Sequence, residues 1–493
     1  MTLIPFGPWL PDIGTFESGA ATEALNVVPM ERGYRSMAGF GVVTSAITAR
    51  AQGAASFRDL SGNIHNFCGD ATKIYKMAST GLSWADVSRL AGGAYACPSA
   101  GWWDFFQFGN VVYATNGFDA GQTYTLGTST NFAAASGSPP VATFGGTVRG
   151  FGVLARGTTT FNRITWSAIE DITDWVSSAT TLADSQNLPD GGAIMGFVSG
   201  EYGLVFQERA ITRMSFEGPP TAFRFDKVTN LLGARAERSI QSYESLTFFL
   251  ADDGFYMLRG GVELTAIGAE KVDRWIETDL DGNYLYRISS AIDPIRKLYV
   301  MGYPSVASSG GSPDSFIIYH WPTGKWSHAR VDHEIIYPAA TQSGYTLDGL
   351  DSVNTSVDAL VHSLDSRIWT GSGRMLLSGF NTSHKSGFFD SSNLAATVET
   401  GDSNIVGARK SIIRSARPII EGTSVTPSLT LGYRNKLHEA ISYTSPVAAN
   451  SNGVCRFRKK ARYHRARLTT VAADIWTVAQ GIDDLNVTPM GTR

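Results

Sequence analysis

Residues 245–260, SLTFFLADDGFYMLRG, decide the fold class of this chain. An apolar run reaches Ala251, Asp252-Asp253-Gly254 supplies turn chemistry, and a second aromatic run follows. The spacing predicts a tight hairpin in which the two acids mark a turn. The same unit recurs at intervals of roughly 40–50 residues through most of the chain. It reads NIHNFCGDATKIYKM at Asn63–Met77, NVVYATNGFDAGQTYTL at Asn110–Leu126 and FGVLARGTTTFNRITW at Phe151–Trp166. It returns as EYGLVFQERAITRMSFEG at Glu201–Gly218, and as KLYVMGY with FIIYHWPTGKW inside Lys297–Trp326. One hairpin of this size cannot bury both of its faces. Repeated at this period, it builds a β-propeller.

The expectation is an all-β chain in three parts. An extended arm covers residues 1–50, where Pro5, Pro8, Pro11 and Pro29 break any helix. A propeller covers 51–375, with six blades, or seven if Asp358–Thr370 and its LVHSLDSRIWTG are counted. A basic β-sandwich-like module covers 376–493, where longer alternating runs such as SIIRSARPIIEG and SLTLGYRNK begin. Helical signal is scarce. Ile267–Leu280 is the best candidate, at about three turns, with Val272, Trp275, Ile276 and Leu280 on one face. The Gly/Ser/Pro-rich Ser305–Ser315 reads as an exposed loop within a blade. Trp166, Trp175 and Trp326 each end or follow a strand run beside turn residues, which predicts aromatics sealing neighbouring blades.

Composition agrees with a large buried core: 43% of residues are hydrophobic, 11% aromatic, and 52 glycines sit between the apolar runs. No apolar stretch approaches the roughly 20 residues that span a bilayer. The opening MTLIPFGPWLPDIG lacks the basic and uninterrupted apolar regions of a secretory leader. Cys68, Cys97 and Cys455 lie far apart without metal-ligand spacing, so they read as buried hydrophobes of a protein folded in a reducing cytoplasm.

Catalytic readings find little to stand on. STGLSW at Ser79–Trp84 and PTGKW at Pro322–Trp326 match only the Gly…Trp tail of the turn that recurs in sialidase-type propellers, without its Asp. Glu170–Asp171, Asp252–Asp253 and Asp483–Asp484 are carboxylate pairs, yet a glycosidase pair must be assembled in space from two blades. His328 and His333 lack a matching Cys or Asp cluster and read as surface histidines in a loop after Trp326. No phosphate loop or nucleophile elbow is present, so neither cofactor nor metal is expected.

Charge is the sharpest functional signal. Residues 401–493 carry 14 Lys/Arg against 6 Asp/Glu, leaving −11 on the first 400 residues of a chain whose net charge is −3. Within that module, RFRKKARYHRAR at Arg456–Arg467 holds seven Lys/Arg, one His and no acid. As one strand it places Arg456, Arg458, Lys460, Arg462 and His464 on a single face. That face must meet water, an acidic neighbouring subunit, or the phosphates of a nucleic acid.

Four stretches together resemble the tail nozzle (tail hub, or packaged-DNA stabilisation) proteins of short-tailed bacteriophages. They are ALNVVPMERGYRSMAGFG, the run from ITWSAIEDITDW through LPDGGAIMGFVSGEYGLVFQERAITRMSF, FFLADDGFYMLRG, and the closing GVCRFRKKARYHRARL…WTVAQGIDDLNVTPMGTR. The resemblance implies a virion structural protein, not an enzyme, assembled in the host cytoplasm as a hexameric ring on the tail axis. It implies tail adaptor or portal-side proteins above, fibre or spike proteins as neighbours, and transient contact with viral DNA during ejection. Insertions such as Ser305–Ser315 are this chain's own, so no particular fibre contact transfers. Two other classes remain open: a fibre, baseplate or receptor-binding virion propeller, and a carbohydrate-active propeller enzyme.

Overall fold

The hairpin forms where its sequence predicts it. Leu246–Ala251 and Gly254–Arg259 pair antiparallel, with Ala251 opposite Gly254 and the two aspartates at the turn. Gly254 has φ +140°, and a Cβ there would stand 2.2 Å from the Asp273 carboxylate, so only glycine fits. The computed structural model describes residues 4–490 except 17–18, 79–81, 342–349, 352–353, 355, 361, 367, 370–374 and 408.

Among the described residues, seven four-stranded antiparallel units stand around one axis. Six are separate sheets, and the sixth unit in chain order is the first part of a ten-stranded sheet. The inner strands are Ala54–Arg58, Asp104–Phe108, Ala142–Val148, Ile194–Val198, Gln241–Tyr243, Ser289–Asp293 and Ile335–Ala340. The last of these packs beside the first, which closes the ring.

The fold is therefore a propeller of seven blades, not six. The seventh is also not where the sequence placed it. Its strands are Ile335–Ala340, Met375–Phe380, Lys385–Phe388 and, outermost, Gly41–Ala46 from the N-terminal segment. In the LVHSLDSRIWTG region, Val357–Ala359 is a short 3-10 turn, and residues 361, 367 and 370 lie outside the described ones. Ser79–Gly81 of the STGLSW stretch lie outside them too.

Each sequence unit turns out to be the middle of a blade. Ile64–Gly69, Val111–Thr115, Phe151–Gly157, Gly203–Gln207, Leu246–Ala251 and Leu298–Tyr303 are second strands, almost wholly buried because blades stack on both of their faces. The inner strand Ala54–Arg58 and the outer strand Asp184–Asn187 are more open, and their patterns are correspondingly weaker. Trp326, Trp166 and Trp175 are buried between blades as expected. Trp326 of the sixth blade packs on Phe255 of the fifth at 4.9 Å and donates its indole N–H to Ile267 O at 3.2 Å. Trp166 of the third blade meets Phe223 of the fourth at 5.3 Å.

The first 50 residues are not a free arm. Ala21–Leu25 bridges the outer strand of the sixth blade, Lys325–Arg330, to Thr397–Thr400. The same sheet continues through Tyr463–Thr469, Ser428–Arg434 and Ser442–Tyr443. A second sheet, of Val27–Pro29, Tyr34–Ser36, Ile475–Pro489, Ser411–Ser424 and Cys455–Ala461, completes a sandwich, with Ile4–Pro5 added alongside. Phe6, Trp9, Tyr34, Leu429, Leu468 and Trp476 are buried in one core that runs on into Phe255 and Trp326 of the propeller. Each such side chain contributes roughly 1.5–3 kcal/mol when fully buried, so the ordering of the N-terminal segment is offset within the chain.

Smaller elements also differ from expectation. The helix is only Asp273–Asp279, begun by Asp12, whose carboxylate accepts from the N–H groups of Arg274 and Trp275 at 2.8 and 2.9 Å. His328 and His333 are buried, not on the surface. His328 stacks on Trp9 at 4.8 Å and pairs with Glu23, and His333 Nδ1 bonds Val331 O at 2.8 Å. The three cysteines are buried. Ser305–Ser315 is exposed at its tip, and Asp314 ties its base to Ser305 N at 2.9 Å and Ser305 Oγ at 2.7 Å.

Candidate interaction surface on the C-terminal sandwich

The basic run does not form one strand. Cys455–Ala461 lies at the edge of the second sheet, paired among the described residues only to Ser411–Ser424. The chain bends at Arg462, and Tyr463–Thr469 joins the other sheet between Thr397–Thr400 and Ser428–Arg434. Crossing from one layer of a sandwich to the other turns the alternation at the corner. Five residues that share a face on paper are thereby divided.

Arg456, Arg458 and Lys460 stay on one exposed face. Strand geometry spaces such side chains by about 6.6 Å. None of the three has an ion-pair partner among the described residues. Arg414 is exposed on the adjacent strand, in the bulge between Ile413 and Ser415, where its Nε donates to Thr488 Oγ1 at 3.1 Å. Phe457 and Lys459 point inward. Phe457 packs against the core, and Lys459 donates to the Tyr433 hydroxyl at 3.2 Å.

Arg462 and His464 do not belong to this face. Arg462 is half-buried at the bend, its guanidinium 5.5 Å from the Tyr463 ring. His464 is buried, with its Nε2 3.1 Å from Ser411 Oγ. Burial lowers its pKa, so the ring is neutral near pH 7 and adds no cation.

The rest of the run is neutralised within the chain. Arg465 donates to both Asp402 oxygens at 2.9 and 2.8 Å and reaches Glu399 at 3.4 Å. Arg434 also pairs with Asp402, and Arg467 Nε bonds Glu399 at 2.5 Å. Thr15 Oγ1 donates to Asp402 at 2.7 Å, and the Tyr443 hydroxyl to Glu399 at 2.9 Å. Burial alone would raise the Asp402 pKa, but the Arg465 hydrogen bonds, Thr15 and the two guanidinium charges outweigh it and hold the carboxyl below its usual value. This network fastens the N-terminal segment to three strands of the sandwich. Sequence reasoning missed it, because the partners come from Thr15, Glu399, Asp402 and Arg434. The one available hint was that seven cations in twelve residues cannot all be left unpaired near a core.

The chain matches no protein-family model and no curated protein. Among solved structures it is similar to the computationally designed Ika8 protein at 10% identity and a TM-score of 0.35, covering 71% of this chain and 99% of that one. It is also similar to YCF48, solved bound to D1 peptide, at 10% identity and a TM-score of 0.35, covering 59% of this chain and 86% of that one. Neither likeness bears on activity or partners.

Proposed function

We propose that this chain is a structural subunit of a short-tailed phage tail, a nozzle protein whose copies form a ring on the tail axis and extend the DNA exit channel. The observation that carries the reading is the row Arg456, Arg458 and Lys460, flanked by Arg414, on an exposed edge strand with no acid among the described residues paired to it. Water solvates such a row in the isolated chain, and an anion from outside can pair with it in an assembly. The candidates are the acidic body of a neighbouring copy, with −11 over its first 400 residues, and the phosphates of DNA. The subunit contact is the better fit, because a wall that binds phosphate tightly would hold a genome it has to release. Edge lysines and arginines also block promiscuous strand pairing, so the edge can serve a defined neighbour without aggregating. The stretches that resemble nozzle proteins support the same reading, since they span the N-terminal segment, the third to fifth blades and the sandwich.

The test is the triple variant Arg456→Gln, Arg458→Gln and Lys460→Gln in assembled particles, viewed by electron microscopy. Six-fold axial rings in the parent particle, with tail assembly lost in the variant, support the subunit contact. Intact tails with an altered, salt-dependent ejection rate place the strand on the DNA path instead. Peripheral three-fold projections in the parent particle overturn the nozzle reading in favour of a fibre.

A further inference from the structure

The propeller axis holds a cavity of about 250 Å³, lined by the inner strands of the first, second, fifth, sixth and seventh blades. Gly53, Trp102, Asp104, Arg238, Ser290 and Tyr337 are among its walls. Arg238 comes from the turn before the fifth blade and donates through Nη1 to Asp104 Oδ1 at 2.9 Å. Its guanidinium carbon lies 5.4 Å from the Trp102 ring and 5.2 Å from that of Phe144. Nε and Nη2 are the two nitrogens that form the side-on fork of an arginine. Both are buried, and neither finds an acceptor among the described residues. A buried N–H left unmet is costly, and more so on a charged donor, so two on one fork call for an acceptor.

Two more arginines with an unmet nitrogen lie near Trp102, outside the residues that line the cavity. Trp102 donates its indole N–H to Tyr286 O at 2.8 Å, and Arg287 lies 5.8 Å from the Tyr286 ring. Arg287 Nε is buried and unmet. Arg50 bonds Ser99 O through Nη2 at 2.6 Å, while its Nη1 is buried and unmet. Burial first, and then the Arg287 charge, lower the Arg50 pKa to about 10, with the Glu334 charge opposing them in part. The acids nearby are committed. Asp104 also accepts from Gly145 N at 2.8 Å, and Glu334 accepts from Ala51 N at 3.0 Å and pairs with His384.

We propose that this axial cavity binds a small oxyanion, a carboxylate or a phosphate, on the Nε/Nη2 fork of Arg238. A planar fork matches two oxygens of either group, which a lysine in its place could not. The cavity has room for roughly eight waters, so the ligand is inorganic phosphate or an organic acid of a few carbons. Walls drawn from five blades also make the site a property of the closed ring. It owes nothing to the tail reading.

The experiment uses the full chain in chloride buffer, with acetate, citrate and inorganic phosphate titrated separately at constant ionic strength. Binding is read by calorimetry and by the melting temperature. The expected result is a saturable rise in melting temperature with at least one of the three, its rank telling carboxylate from phosphate. Arg238→Gln should weaken that binding by about 10–100-fold. Arg238→Lys, which keeps the charge but loses the planar fork, should weaken it nearly as much. A rise that never saturates and is matched by chloride is general salting and overturns the site, with water then meeting the fork. An unchanged affinity in both variants overturns it equally. Should Arg238→Gln fail to fold, the wild-type titration and Arg238→Lys still decide.

Discussion

Phe388 pairs with Gly41, and through that contact a strand from the N-terminal segment closes the seventh blade. The ring is thus sealed by hydrogen bonds between the two ends of the propeller chain, as a barrel is sealed by its first and last strands. Gly387 sits at the seam, where a Cβ would lie 2.0 Å from Gly41 O. Gly387→Val should force the closing strand away and cost on the order of 3 kcal/mol. A melting temperature equal to that of the parent would show that the seam tolerates the side chain and that closure does not depend on it.

Trp326 and Trp166 each join two blades, so their loss should be felt by the whole ring. Replacement of either by Ala is expected to cost about 3–5 kcal/mol. Trp175 lies in a loop and is 9% exposed, against 0% for Trp326, so Trp175→Ala should cost less. Thermal unfolding of the three variants checks the order. Equal values for all three would contradict it.

Asp402 serves two largely buried arginines, Arg434 and Arg465, at once. Asp402→Asn leaves Arg434 and Arg465 short of counter-charge and should cost about 3–5 kcal/mol at neutral pH. The pH dependence has a definite sign. The folded carboxyl titrates below its unfolded value, so its contribution is present above about pH 4 and fades as pH falls further. The parent and the variant should therefore converge in strongly acidic buffer. A gap that stays constant with pH would mean that the loss comes from packing.

Asp273 is the opposite case. Burial, with the Asp12 and Asp253 charges, raises its pKa to about 6 despite the Phe255 N–H that it accepts. The folded state therefore holds this proton more tightly, and ionisation removes stability as pH rises through about 6. Asp273→Asn can still accept from Phe255 but carries no charge. The variant should be more stable than the parent by about 1 kcal/mol near pH 8, after allowance for solvent screening, and no more stable near pH 4. Melting curves at the two pH values decide it, and an Asn variant less stable at both would refute the assignment.

The sequence by itself determined the blade interiors. A second strand stacked on both faces must be apolar throughout, and the hairpin turn beside it must carry residues such as Asp252, Asp253 and Gly254, so both are visible locally. The sealing tryptophans were legible for the same reason. Only the tertiary structure decided how many blades there are, because the seventh draws Gly41–Ala46 and Met375–Phe388 from opposite ends of the propeller and neither segment signals its partner. The basic run divided in the same way. Its composition was plain, but a single bend at Arg462 sent Arg456, Arg458 and Lys460 to solvent and Arg465 and Arg467 to Glu399 and Asp402. The arginines around Trp102 had no sequence signal, being single residues in three blades. Charge and period are local properties of a chain, whereas closure, counter-charge and convergence on an axis are decided by which distant segments share a surface.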